Sequence, residues 1–191
     1  TSTRKMYHLE GIFPHLLHNL HVDISKDLLD FCYEQKKRDP VGVQISNFGG
    51  WQSKPFYNDN TIGHHLIENI LSLTSEVFIQ PPVLGNWWIN INKPEAYNSM
   101  HQHPGSHMSG VIWIQIPKDS GNLFFPNPDY FCKQKEMNLT KPFLKQTEGY
   151  QIEPKEGDVV LFSSCLQHKV TPNLSDNERI SISFNARFPE D

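Results

Sequence analysis

Residues 100–110 read Met-His-Gln-His-Pro-Gly-Ser-His-Met-Ser-Gly, and the first two of these histidines stand two apart. On an extended segment, side chains at i and i+2 project to the same side. The imidazoles of His101 and His103 can therefore share one metal ion at roughly 2.0–2.2 Å. A third ligand has to come from elsewhere, and His168, at the end of Ser163-Ser164-Cys165-Leu166-Gln167-His168, is the leading candidate. Three imidazoles on one face of a metal leave its other positions open for a chelating co-substrate and for oxygen. Non-haem iron(II) oxygenation needs that arrangement. His107 lies near enough in sequence to substitute as a ligand, although a place beside the ligands or on the substrate side suits it better.

Eleven residues after His168 comes Arg179, with Ser181 two further along on the same side of a strand. A guanidinium is a planar fork that grips a carboxylate bidentately, and a neighbouring hydroxyl adds a third hydrogen bond. A dicarboxylic keto acid suits this pair, with one end chelating the metal and the far carboxylate held by the fork. Each piece has an ordinary reading. A His-x-His pair alone is more often surface decoration, and Arg179 alone is a surface arginine after the turn Ser175-Asp176-Asn177-Glu178. Together the pieces favour the site. His8, His15, His18, His21, His64 and His65 have no converging partners and read as ordinary histidines. Cys165 sits three residues before His168, so on a strand the two face opposite ways and a thiol nucleophile is not expected.

The elements that must position these groups follow from periodicity. At 191 residues the chain suits one well-cored domain. A net charge of −4 gives no reason to expect nucleic acid or a membrane surface as partner. Three widely spaced cysteines (Cys32, Cys132, Cys165) with no CxxC pair argue against a disulfide scaffold or a zinc ribbon. No apolar run approaches the roughly 20 residues of a membrane span and no signal-peptide pattern is visible, so a cytoplasmic location is expected. Ser25 caps an expected helix ending near Lys36-Lys37-Arg38, and a second helix starts at Asn60 or Thr61 and stops by Pro81-Pro82. After Pro82 the texture changes to short strands: Val83 to Asn92, Ser109 to Ile116, Leu123 to Phe125, Gly149 to Glu153, Asp158 to Phe162, Gln167 to Thr171 and Arg179 to Phe188. Pro126 to Lys145 is too long for a simple hairpin connection and is a candidate lid. This order predicts a mainly β (α+β) chain forming a jelly-roll barrel, with N-terminal helices packed outside. Residues 1–82 would support a barrel core over 83–191, within a single domain of 1–191.

In the last expected strand Ile180, Ile182, Phe184, Ala186 and Phe188 alternate with Arg179, Ser181, Ser183, Asn185 and Arg187. The apolar face must pack on a core. The polar face could meet water or line a jelly-roll interior that holds a polar ligand, and period alone does not choose.

With these residues in view the sequence resembles the 2-oxoglutarate/iron(II)-dependent dioxygenases, and within them a branch of small members found in phage and marine bacteria. Ser46-Asn47-Phe48-Gly49-Gly50-Trp51-Gln52-Ser53, Trp88 to Asn92 with His101-Gln102-His103-Pro104, and Glu153 to Phe162 with His168 and Arg179 to Asn185 are similar to that branch's signatures. The resemblance implies a double-stranded β-helix, iron(II) and 2-oxoglutarate as cofactors, oxygen as co-substrate, and hydroxylation of a peptidyl residue or small molecule. It implies His101, His103 and His168 as metal ligands, and Arg179 and Ser181 as the Arg-x-Ser grip on the co-substrate. By its spacing to the metal motif, Asn92 falls near the co-substrate. His103 stands where the superfamily has a carboxylate, so the ligand set would be three histidines unless His107 or a lid carboxylate completes it. The rival readings are a cupin-like three-histidine metalloenzyme that does not use 2-oxoglutarate, and a non-enzymatic jelly-roll binding module. Oligomeric state is not legible, and a homodimer is compatible with the sequence. For a phage protein the location would be the host cytoplasm.

Overall fold

The computed structural model describes residues 15–129 and 148–189. Helix α1 spans Lys26–Arg38, where the Ser25 hydroxyl accepts from the Leu28 N–H at 3.2 Å and Lys36, Lys37 and Arg38 fill the last turn. Both features suit the helix dipole and its orphan N–H groups. Helix α2 spans Ile62–Leu73, with Thr61 accepting from the His64 N–H. It ends earlier than the apolar pattern suggests. The Thr74 hydroxyl donates to the Leu71 carbonyl at 2.6 Å, and the chain tightens into a 3-10 turn over Thr74–Glu76.

Strands β1 (Leu17–His21), β2 (Asn47–Phe48) and β3 (Trp51–Gln52) precede residue 82 and join the sheets. Then come β4 (Val83–Asn92), β5 (Tyr97–His101), β6 (Met108–Gln115), β7 (Leu123–Pro126), β8 (Gly149–Ile152), β9 (Asp158–Ser163), β10 (His168–Val170) and β11 (Arg179–Arg187). They form a six-stranded sheet in the order β1-β9-β6-β11-β4-β3 and a five-stranded sheet in the order β2-β5-β10-β7-β8, with antiparallel pairing throughout. The chain is the expected double-stranded β-helix with helices outside. Strands β1, β2, β3 and β5 escape the sequence reading. β2 and β3 are two residues each, while β1 (Leu-His-Asn-Leu-His) and β5 (Tyr-Asn-Ser-Met-His) have no β-branched residue and no two-residue apolar period.

Two apolar clusters sit on opposite faces of the larger sheet. On the outer face Trp87, Ile89, Ile112, Ile182 and Phe184 pack with Leu28, Cys32, Ile67 and Ile70 of the helices. On the inner face Trp113, Val160 and Phe162 meet Leu123 and Phe125 of the smaller sheet. Gly110 lets the outer packing close, since a Cβ there would stand 2.2 Å from the Phe184 ring. No helix among the described residues is long and apolar enough to cross a membrane. Of the candidate lid Pro126–Lys145, everything beyond residue 129 lies outside the described residues, as do His8 and Cys132.

Candidate metal centre

β11 runs between β4 and β6, so its two-residue period is locked by ladders on both sides. Arg179, Ser181 and Ser183 point into a cavity between the two sheets, the same cavity that His101, His103 and His168 line. The polar face therefore faces the barrel interior.

Three histidines converge there. His101 closes β5 and lies directly opposite His168 on β10, a placement that brings side chains within contact across the strands. His103 stands two residues past β5, where its backbone N–H donates to the Ser164 carbonyl at 3.0 Å. The nitrogens that could bind a metal lie within 4.8 Å of one another. Ring centroids are 4.3 Å apart for His101 and His168, and 5.1 Å for each of the other pairs.

Each ring uses its Nδ1–H on a protein oxygen: His101 donates to Ser99 O at 2.7 Å, His168 to Leu166 O at 2.9 Å, and His103 to Asn185 Oδ1 at 2.7 Å. That tautomer leaves every Nε2 lone pair free, and the His103 Nε2 is buried with no hydrogen-bond partner. Burial pushes the His168 pKa down to about 3 and that of His103 to about 4, overriding the hydrogen bonds that oppose it. Burial likewise lowers that of His101, against the bond to Ser99. Three neutral imidazoles with free lone pairs are what a divalent transition metal binds. The donor set fits iron(II) without a carboxylate.

Arg179 lies in the same cavity, 3% exposed. Its Nη1 donates to the Ser120 and Thr171 carbonyls, and no described carboxylate pairs with it. Burial lowers its pKa to about 10. Such a charge is costly unless an anion arrives to pair with it. Gly121, at φ +93°, makes room for it, because a Cβ there would come within 2.7 Å of the Arg179 Nη1. Asn92 is fully buried but does not line the cavity. Its amide donates to Asn98 Oδ1 at 3.2 Å, and Asn98 does line it. His107 stands apart from the cluster: its Nδ1 accepts from the Phe188 N–H at 2.9 Å and its ring stacks on Phe188.

Beside His101 and His103 the cavity opens into a recess of about 360 Å³ walled by Trp88, Tyr57, Pro55, Gln52 and Asn86. Trp88 stacks on the His103 ring at 5.6 Å. The sequence reading left Asn185 without a role, yet it supplies the oxygen that orients His103. Only part of the signal lies in the sequence. Asn185 shares a strand face with Arg179, and a ligating histidine needs a partner for its second nitrogen.

Residues 86–185 match the family model described as "Putative 2OG-Fe(II) oxygenase". No curated protein matches the chain. Among solved structures, a Pseudomonas putida prolyl-4-hydroxylase superposes with a TM-score of 0.63 at 16% identity, over 92% of this chain and 94% of that one. A viral collagen prolyl hydroxylase from Paramecium Bursaria Chlorella virus-1, in complex with 2OG, gives 0.54 at 15% identity over 91% and 96%. HygX from Streptomyces hygroscopicus, with nickel and 2-oxoglutarate bound, gives 0.55 at 14% identity over 90% and 82%. At such identities these likenesses speak for the fold.

Proposed function

This chain belongs to the family of 2OG-Fe(II) oxygenases and is an oxidoreductase, and from that premise we propose that it hydroxylates a peptidyl residue or small molecule through a three-histidine iron(II) site. His101, His103 and His168 hold the metal. Arg179 and Ser181 take the far carboxylate of 2-oxoglutarate, and Asn92 acts from behind through Asn98. The substrate enters by the recess beside Trp88. Residues 1–191 act as one domain, 1–82 supporting the barrel of 83–191.

One observation carries the reading: three neutral imidazoles with free Nε2 atoms and an unpaired buried guanidinium share a single cavity. The metal supplies the oxygen chemistry. The chain holds the imidazoles uncharged, binds the co-substrate's charge, and keeps water out with Trp113, Phe162 and Leu123.

Anaerobic titration of metal-free protein with iron(II) and then 2-oxoglutarate tests it, alongside Arg179→Ala. A visible metal-to-ligand charge-transfer band that saturates at one equivalent and weakens in Arg179→Ala is the expected result. The all-histidine donor set also suits a cupin-like enzyme, for which the metal binds tightly but no band forms. A protein that binds no metal would end the enzymatic reading of this site.

A further inference from the structure

Two of the three imidazoles are oriented by backbone close to them in the chain. His101 and His168 each donate to a backbone carbonyl two residues earlier, an acceptor no substitution can remove. His103 differs in both respects. It lies beyond the end of β5, and its Nδ1–H bonds a side chain 82 residues away in sequence.

That side chain is itself fixed. Asn185 Nδ2 donates to Asn86 Oδ1 at 3.1 Å, and its Oδ1 accepts a second bond from the Ser109 hydroxyl at 2.8 Å. Ser109 in turn bonds Ser164 at 3.0 Å, and both serines are 1% exposed. Rotating the amide by half a turn would set its NH₂ against the His103 N–H and its oxygen against the Asn86 oxygen. The amide therefore has one orientation, and the His103 ring inherits it.

We infer that Asn185 is a positioning residue that holds His103 as its Nδ1–H tautomer and aims its Nε2 at the metal position. The inference rests on the three-histidine reading. His103 occupies the one ligand position without a local backbone acceptor. Trp88 against its face and Asn185 at its edge do for it what the Ser99 and Leu166 carbonyls do for the other two. A ligand's outer partner of this kind typically contributes 10–100-fold to metal affinity. A neutral amide oxygen serves without adding charge. An aspartate offers the same acceptor geometry and raises ligand basicity further.

The test is cobalt(II) titration of the full chain, reading the dissociation constant and the visible d–d spectrum of the bound ion. Asn185→Ala should weaken cobalt binding about 10–100-fold and change the band shape. Asn185→Asp should bind near the wild-type level. Ser109→Ala, which spares the bond to His103, should change little. Where Asn185→Ala does not fold, Asn86→Ala is read instead. It frees the amide to turn and should weaken binding by a smaller factor. His103→Ala separates the two levels of the argument. Loss of cobalt in His103→Ala with unchanged binding and spectrum in Asn185→Ala (or in Asn86→Ala, read in its place) overturns this inference and leaves the ligand assignment standing. So does an Asn185→Asp that binds as weakly as Asn185→Ala. Wild-type affinity in His103→Ala overturns the ligand assignment and this inference with it.

Discussion

The two faces of β11 are buried to different degrees and against different surroundings. Outward, Ile180, Ile182, Phe184 and Ala186 are each 0% exposed and press on the helices through Trp87 and Ile67. Inward, Arg179, Ser181, Ser183 and Asn185 meet a cavity edged with histidines and amides. Of the five buried side-chain polar atoms without a partner among the described residues, four gather on that inner side and the fifth, His64 Nδ1, is on α2. Asn90 Oδ1 and His103 Nε2 border the cavity, while Asn92 and Ser120 each touch a group that does. The outer face of the strand is wholly apolar and fixes the register. The inner face is left incomplete, a stability cost typical of functional sites, and on the proposed reading a ligand finishes it.

The sharpest way to break the contrast is to open the outer face. Phe184→Ala should cost about 3–5 kcal/mol, read from the denaturant midpoint, while the folded fraction keeps its metal stoichiometry. Loss of the metal site at unchanged stability would mean that the two faces are not separable in this way. Next comes completion of the inner face. Iron(II) at 100 times its dissociation constant should raise the unfolding free energy by about 2.7 kcal/mol. His168→Ala should abolish that increment, as followed by anaerobic thermal unfolding. Arg179→Met removes the unpaired buried charge. Metal-free protein should be about 1 kcal/mol more stable while co-substrate binding is lost. A large destabilisation instead would make Arg179 part of the scaffold. The smallest effect is that of Ser181→Ala, which on the proposed reading removes one hydrogen bond to the co-substrate. It should weaken 2-oxoglutarate binding by about 1 kcal/mol in calorimetry, with stability unchanged.

Much of this was legible in the residues. The alternation from Arg179 to Phe188 announces a strand with one dry face, and the His-x-His pair with a distal histidine announces convergence. What alternation could not say was whether the polar face met water, because that depends on which sheet lies opposite. The structure places His101 and His168 there. β5 was hidden because Tyr97-Asn98-Ser99-Met100-His101 has no apolar period: Asn98 and His101 line the cavity, while Tyr97 and Met100 are exposed. Asn185 was visible as a residue but not as a partner. Its role depends on His103 standing beyond its strand, which spacing does not reveal.

The position of β11 in the sheet has a consequence for synthesis. It follows every other described strand in the chain, yet it lies at the sheet's centre and is the strand that joins β6 to β4. While ribosomes are still short of residue 179, β4 and β6 each present an unpaired edge toward the other, and neither can close. The nascent chain therefore carries two half-sheets, an aggregation hazard that ends only when the final strand slots between them. A transcript truncated there should yield insoluble chains rather than a weakened enzyme, however intact its histidines.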